Sequence, residues 1–260
     1  MNQEQFTELV LQSQEGDAAA MEELLLLAHT PVSYLTQKIL QNSKNAQQVT
    51  YAVLQSVFSN LSSLQNPDDF EQWLCRITAA RCIQASPLLH RNFAESDALP
   101  YWKDDLADGA TLNEEESAAA IQNMVDNLPE SQRLCLLLLS CGELGISAIA
   151  QLTGFSEGSI KQNIKQGQKA IQQHLWELDT RGIQFTGISS LTGILHDAMY
   201  LHPDVGAAKA MVYDILGKKL PVPLSVWIVR LLTVIVVLLL LAVLGLAAVI
   251  AVKMTGSMLP

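Results

Sequence analysis

The sequence predicts an all-α protein: two helical domains joined by an acidic linker, followed by one transmembrane helix. Two observations predict the helical body. Glycine is sparse, at 14 of 260 residues, and no stretch alternates polar and apolar residues in the manner of a strand. The third observation is a run of 22 residues without a charge, at 231–252. At the helical rise this run extends about 33 Å, close to the hydrocarbon thickness of a bilayer.

Residues 1–86 are assigned to the first domain, a bundle of amphipathic helices. Asp17 is placed to cap the second helix, because its carboxylate can accept hydrogen bonds from the first turn. Pro31 is expected to interrupt that helix. A turn at 66–69 then precedes a further helix, which opens at Phe70.

The rest of the chain divides by composition. Residues 87–118 carry eight acidic residues against two basic ones, Arg91 and Lys103, so they are predicted to form a flexible acidic linker. Residues 179–224 hold two short apolar runs, which fit either a small helical hairpin or a loosely packed juxtamembrane region. The remaining segments are a second helical domain, the transmembrane helix and a short tail, assigned to residues 119–178, 225–252 and 253–260.

Charges that flank the apolar run predict its orientation. Lys218, Lys219 and Arg230 precede the run, and only Lys253 follows it. The positive-inside rule therefore favours a cytoplasmic body with the tail outside. This predicts a single-pass protein of the cell membrane, in contact with membrane lipid. The four cysteines show no CxxC pair and are expected to be reduced and buried in such a body.

The second domain has the most informative spacing. A short apolar helix, a tight connection and a longer helix give the layout of a helix-turn-helix. Ala150 is small enough for close packing, Gly154 can take the left-handed conformation at a helix end, and Ile160 would fill the space between the helices. Ser156 can cap the longer helix. The alternative is an ordinary helical pair with a glycine turn, and spacing alone does not separate the two.

Charge and motif content limit the classes of function. The net charge of −10 argues against indiscriminate nucleic-acid binding, which usually needs a basic surface. The five histidines are scattered without metal-ligand spacing, and there is no glycine-rich phosphate loop or GxSxG motif. The acidic residues 114–116 are interpreted as solvated linker. No enzyme activity, cofactor or metal site is predicted.

Two stretches of the chain resemble extracytoplasmic-function RNA polymerase sigma factors, of the sigma-70 superfamily. The runs LPESQRL at 128–134 and GFSEGSIK at 154–161 are similar to their C-terminal, promoter-reading domain. The runs GDAAAMEEL at 16–24 and FEQWLCRI at 70–77 are similar to their N-terminal domain. The two likenesses occur in the family's order, on either side of the acidic linker.

The resemblance implies a protein that is no enzyme and that binds core RNA polymerase and promoter DNA. The positions that would face polymerase are Gln47, Gln48, Gln55 and Phe58. The positions that would contact DNA are Trp73, Arg76 and Arg81 at the melted promoter element, and Ser156, Ser159, Lys161, Gln162, Lys165 and Lys169 at the upstream element. A core anchor is an equally good interpretation of Trp73, and for Phe58 a core position is favoured. A regulator or protease acting at the membrane is a further expected partner.

The charges at these positions depart from the family. Gln47 and Gln48 stand where the polymerase-binding helix of the family is acidic, and residues 82–87 supply none of its arginines. Two functions therefore stay open. One is a membrane-anchored sigma factor that directs transcription initiation by sequence-specific promoter binding. The other is a degenerate sigma-like membrane scaffold or regulator, which binds polymerase or another regulator without opening promoters.

Overall fold

The computed structural model describes residues 3–86, 100, 102, 105–140, 144–187, 190–201 and 203–218. All of them fall in one compact unit, Met1–Lys218. Within these ranges the chain is mostly helical, as predicted, with ten α-helices, two short 3-10 turns and one pair of two-residue strands.

Four helices form the first block. They are α1 (Gln3–Gln14), α2 (Ala18–Leu40), α3 (Ser43–Asn60) and α4 (Phe70–Ala85), with 3-10 turns at Leu61–Ser63 and Pro67–Asp69 between the last two. Each of α1, α3 and α4 packs on α2. The predicted cap is confirmed, because the Asp17 carboxylate accepts hydrogen bonds from the amides of Ala19 at 2.7 Å and Ala20 at 3.1 Å.

Pro31 does not interrupt the second helix. It lies inside α2, which continues to Leu40. Proline removes one hydrogen bond from a helix interior, but here the residues on either side, Ala28 and Val32, are fully buried in the core. Packing on one face of a 23-residue helix therefore outweighs the local defect.

Buried thiols contribute to this core and to the next block. Cys75, Cys82 and Cys135 are buried and free, as expected from their spacing. Burial raises the pKa of each of these thiols to about 12, so they stay protonated at neutral pH and behave as small apolar groups. Cys141 lies outside the described residues.

The second block begins within residues 87–118, which the sequence assigned to the linker. Its elements are β1 (Thr111–Leu112), α5 (Glu114–Asp126), α6 (Glu130–Ser140), α7 (Ile146–Thr153), α8 (Glu157–Thr180) and β2 (Gln184–Phe185). Asn113 and Glu116 form a capping box at the start of α5. The acidic residues 114–116 are thus the first turn of a helix, where negative charge is favourable.

A clasp joins the two ends of this block; we use the word for residues 108–112 together with 181–186. β1 and β2 pair in parallel, with Thr111 opposite Gln184. The Gln184 amide donates to the carbonyl of Ala110 at 2.8 Å, and Arg181 Nε donates to Asp108 Oδ1 at the same distance. The segment that enters the second block and the segment that leaves it therefore lie next to each other.

Two helices, α9 (Leu191–Ala198) and α10 (Val205–Ile215), follow the clasp. We call them the C-terminal hairpin, although each packs mainly on other elements and not on its partner. α9 packs against α5 and α6, and α10 packs against α2 and α3. Two tyrosines attach it to the first block: Tyr200 donates to Glu71 Oε1 at 2.8 Å, and Tyr51 donates to Asp214 Oδ2 at 2.9 Å. The described part of residues 179–224 therefore contains two helices that pack on the two blocks, and neither of the two interpretations left open for this segment is confirmed.

The two blocks also touch each other directly. Lys38 Nζ lies 2.5 Å from Asp126 Oδ2, and Gln41 Nε2 donates to the carbonyl of Asp126 at 2.6 Å. α2 packs on α6, and α4 packs on α7. The end of α2 is thereby fixed to the end of α5.

The predicted transmembrane helix is contradicted. Length alone is not the obstacle, since α2 and α8 have 23 and 24 residues, but α8 is charged along its length and α2 carries Glu22, Glu23 and Lys38 near its ends. Among the described residues, no helix combines the length and the apolar character that crossing a membrane requires. This finding also contradicts the predicted cell-membrane localisation, and contact with membrane lipid stays a prediction. The predicted span, 225–252, and the tail, 253–260, lie outside the described residues.

Candidate nucleic-acid and polymerase interface

The connection between α7 and α8 has the geometry of a helix-turn-helix. Gly154 has φ +76° and donates its amide to the carbonyl of Ala150 at 2.9 Å, which ends α7 in the left-handed conformation. Ser156 Oγ then accepts a hydrogen bond from the Ser159 amide at 3.1 Å and starts α8. Ile149 and Ile160 are fully buried. The predicted conformation of Gly154 and cap of Ser156 are confirmed, whereas the predicted place of Ile160 between the two helices stays a prediction.

The inner face of α8 rests on α6. Gly167 marks the closest approach, because a Cβ atom there would lie 2.9 Å from Leu136 Cδ1. Arg133 on α6 is only 6% exposed, and its Nη1 donates to the carbonyl of Leu128 at 3.0 Å. Burial lowers the pKa of this guanidinium. Arg133 therefore holds the α5–α6 connection and faces away from any ligand of α8.

The outer face of α8 presents a stripe of cations, which we call the lysine stripe: Lys161, Lys165 and Lys169. They are four residues apart and all exposed, so their ammonium groups line up along one side of the helix. Gln162 is exposed beside them. Lys161 Nζ lies 3.8 Å from Glu157 Oε2. This ion pair is exposed, so it contributes little to stability and leaves the ammonium group accessible.

The two serines lie at the N-terminal end of this stripe. Ser156 is exposed, and Ser159 is half-buried within the first turn of α8. Amide groups in the first turn of a helix have no partner within the helix, and together with the helix dipole they attract phosphate oxygens. The structure thus brings all six predicted upstream positions to one helix and its cap, with the lysines and Gln162 on the exposed side.

Trp176 extends the same face and was not predicted as a site residue. Its side chain is 67% exposed, seven residues beyond Lys169, which places it two turns further along. A signal for it exists in the sequence. Gln172, Gln173 and Glu177 surround it with polar residues, so an apolar ring at that position falls outside the core pattern.

The residues predicted at the melted promoter element lie on α4 and do not form one surface. Trp73 is half-buried and packs on the core ring of Phe70, with ring centroids 6.0 Å apart. Arg76 is exposed near it. Arg81, five residues on, faces another direction and donates from Nη2 to Ser56 Oγ on α3 at 3.1 Å. The contact with Phe70 supports an anchoring role for Trp73 while leaving part of its ring accessible.

The residues predicted to face polymerase form a row along α3. Gln47, Gln48 and Gln55 are exposed, and the row ends at Phe58. Phe58 is 43% exposed, which contradicts the interpretation of this ring as a core residue. Tyr51 stands between Gln47 and Gln55 in the same row, and its hydroxyl group contacts the C-terminal hairpin. One end of the hairpin therefore lies against the middle of this row.

Part of the second block is similar to a known protein family. Residues 118–171 match sigma-70, region 4. The match contains α7, the part of α8 up to Ile171 and the whole lysine stripe, and it ends before Trp176. The chain is also 23% identical over 179 residues to the ECF RNA polymerase sigma factor SigW of Bacillus subtilis, an alignment that covers 65% of this chain and 96% of that relative. Together the two similarities support a sigma factor of transcription initiation.

Proposed function

We propose that this protein is an RNA polymerase sigma factor of the extracytoplasmic-function type, which directs transcription initiation by binding promoter DNA. The observation that carries the proposal is the helix-turn-helix over residues 146–180, whose outer face bears the lysine stripe and whose residues up to 171 match sigma-70, region 4. A sigma factor performs no catalysis of its own, so the proposal assigns no catalytic residue and no cofactor.

In this proposal α8 is the helix that reads upstream DNA. The first turn, at Ser156 and Ser159, approaches a phosphate, and Lys161 and Lys165 contact phosphates on the flanks of the groove. Gln162 has an amide that can bond the edge of an adenine, which gives sequence information. Lys169 extends the electrostatic contact by one turn. Three cations aligned on one face of α8 also reconcile DNA binding with a net charge of −10.

In this proposal the first block provides the contacts with core polymerase and with the melted DNA strand. The row of Gln47, Gln48, Gln55 and Phe58 on α3 faces core polymerase, where the exposed Phe58 ring supplies apolar area. Trp73 and Arg76 on α4 meet the melted strand by stacking and by charge. Arg81 supplies a further cation from the opposite side of α4.

A salt series on matched variants tests the contact with upstream DNA. The full chain is bound to core polymerase, and the genomic fragments that this complex retains serve as the DNA probe. Replacing both Lys161 and Lys165 with Gln should weaken binding and lower the slope of log affinity against log salt by about 1.8, because each lost phosphate contact removes about 0.9. The control pair, Lys44→Gln with Lys209→Gln, removes the same charge away from α8 and should leave the slope unchanged.

Two results would contradict the proposal. One is a full chain that does not bind core polymerase at all. The other is an equal change of slope in the two pairs of variants, since the effect would then follow from net charge and not from the lysine stripe.

A second candidate is a regulator that binds polymerase without opening promoters. It is favoured by the uncharged Gln47 and Gln48, and by the end of α4, where Cys82 and Ile83 are buried and add no cation after Arg81. Permanganate probing of promoter thymines in the polymerase complex separates the candidates. A sigma factor makes thymines at the melted element reactive, whereas the regulator binds core polymerase and leaves them protected.

A further inference from the structure

The second helix of the C-terminal hairpin, α10, packs on the side of the first block that α2 and α3 form. Ala208 and Val212 lie one turn apart and are 4% and 0% exposed, so they mark the face of α10 that docks on the block. An isolated helix of 11 residues is marginal in water. The stability of α10 therefore depends on its docking.

Two polar contacts hold the end of α10 and the residues after it. Asp214 Oδ2 accepts a hydrogen bond from the Tyr51 hydroxyl group on α3 at 2.9 Å, and Lys218 forms an ion pair with Glu22 on α2. The ion pair lowers the pKa of the Glu22 carboxyl group, and the hydrogen bond raises the pKa of Tyr51. All four residues are exposed or half-buried, so each contact is weak and can break without disturbing the core.

Tyr51 belongs to the row that the proposed function assigns to core polymerase. It lies four residues after Gln47 and four before Gln55, so the three side chains are neighbours on one face of α3. Gln47 and Gln55 are exposed, whereas Tyr51 is half-buried. The axis of a helix that packs on α3 lies about 8–10 Å from the axis of α3. A partner that covers the whole row would therefore meet α10 at Tyr51.

The hairpin also contacts the second helix of the first block that the proposed function assigns to a partner. Tyr200, in the connection between α9 and α10, donates to Glu71 Oε1 at 2.8 Å. Glu71 lies in the first turn of α4, the helix that carries Trp73 and Arg76. The docked hairpin thus touches both α3 and α4.

We propose that the C-terminal hairpin is an autoinhibitory element: docked on α2 and α3, it competes with core polymerase for the row on α3. Polymerase binds the whole row only in the fraction of molecules whose α10 has undocked, and the apparent affinity falls in proportion to that fraction. The inference rests on the proposed function, because the row faces polymerase only if the chain is a sigma factor. It gives a regulatory role to residues 191–218, which lie beyond the match to sigma-70, region 4.

The affinity of the full chain for core polymerase, measured by biolayer interferometry, tests the proposal. Val212→Asp places a charge in the buried face of α10 and leaves every residue of α3 unchanged. This variant should bind core polymerase at least about tenfold more tightly than the wild type, because a buried unpaired charge disfavours docking. Val205→Asp is the matched control. It makes the same exchange on the same helix at a side chain that is 54% exposed, and the affinity should stay within about twofold.

A second variant breaks the polar contacts and leaves the buried face of α10 intact. Asp214→Ala with Lys218→Ala deletes the hydrogen bond to Tyr51 and the ion pair with Glu22. The net charge is unchanged, and both replaced side chains are exposed, so the chain should stay folded. The double variant should bind core polymerase about fivefold more tightly, the effect of one lost hydrogen bond on the docking equilibrium.

Hydrogen exchange of the wild type provides an independent measurement. In the complex with core polymerase, the amides of α10 should exchange at least about tenfold faster than in the free chain, because an undocked helix of this length frays.

Three results would overturn the inference and leave the proposed function standing. They are equal affinity of the wild type, Val212→Asp and the double variant for core polymerase, an equal gain of affinity in Val212→Asp and Val205→Asp, and unchanged exchange of α10 in the complex. If neither the wild type nor any variant binds core polymerase, the proposed function fails and the inference fails with it.

Discussion

At the scale of single residues, buried polar groups show where the structure depends on exact partners. Thr36 and Thr50 share a hydroxyl–hydroxyl hydrogen bond of 2.8 Å inside the first block, and both side chains are almost fully buried. Arg133 Nη1 donates to backbone carbonyls in the second block, but its Nε atom has no partner among the described residues. The Nδ1 atom of His29 has none either. Of these groups, His29 is the one whose charge changes near neutral pH, so its protonation affects folding most directly.

Acid should destabilise the protein through His29. Because burial lowers the pKa of His29 in the folded state, the unfolded chain binds its proton first as the pH falls below about 6.5. The free energy of unfolding then falls by at most about 1.4 kcal/mol per pH unit because of this group. Urea unfolding of the wild type and of His29→Gln at pH 5 to 8 measures this effect. The difference in free energy of unfolding between the two proteins should shrink towards acid pH.

His196→Gln is the control for this comparison, since His196 is half-exposed and stacks edge-on against Tyr200. If the His196 variant changes the pH dependence as much as the His29 variant does, the burial of His29 is not the cause.

At the scale of elements, local chemistry determines where the helices of the second block begin and end. The α7–α8 turn combines a left-handed glycine, a serine cap and two buried isoleucines within twelve residues, Ile149 to Ile160. None of these contacts depends on the first block. The turn should therefore respond to substitution as a local unit.

Gly154→Ala should lower the free energy of unfolding by about 1 kcal/mol, because an L side chain at φ +76° is strained. Gly158→Ala is the matched control. It lies in the first turn of α8, where the nearest atom to a new Cβ is 3.8 Å away, and alanine there should be neutral or stabilising by up to about 1 kcal/mol. Urea unfolding measures both, and equal effects would contradict the left-handed requirement.

Features of this local kind were accessible from the sequence. Asp17, Gly154 and Ser156 were predicted correctly because a cap or a left-handed turn depends on neighbours a few residues away. Pro31 and Phe58 were misinterpreted, because helix continuity and exposure at those positions depend on packing between distant elements. The acidic residues 114–116 were interpreted as linker for the same reason. The strand just before them, β1, pairs with β2, which lies about 70 residues further along the chain.

At the scale of the whole molecule, the C-terminal hairpin connects the two blocks. Lys218 forms an ion pair with Glu22, and the two tyrosine contacts lie on α3 and at the start of α4. The sequence could not determine this arrangement, because the residues that meet are more than 120 positions apart. Polar contacts of this kind at a partly exposed boundary are individually weak.

Removing both tyrosine hydroxyl groups should loosen the hairpin while the blocks stay folded. Tyr51→Phe with Tyr200→Phe deletes two hydrogen bonds worth about 1 kcal/mol each. Exchange of amide hydrogens in α9 and α10 should then accelerate by about 5- to 30-fold, measured by mass spectrometry. Gln173→Ala, which removes a contact within α8, should leave the hairpin unchanged, and equal acceleration in that control would contradict the assignment.

The clasp has a mechanical consequence. A pull applied between the first block and the hairpin reaches the second block at two neighbouring points, where Asp108 bonds Arg181 and Ala110 bonds Gln184. Tension along the backbone passes across these bonds from one strand to the other. The chain between them, including the helix-turn-helix, carries none of this backbone tension until the clasp ruptures; before that, force reaches it only through packing contacts such as that of α4 on α7.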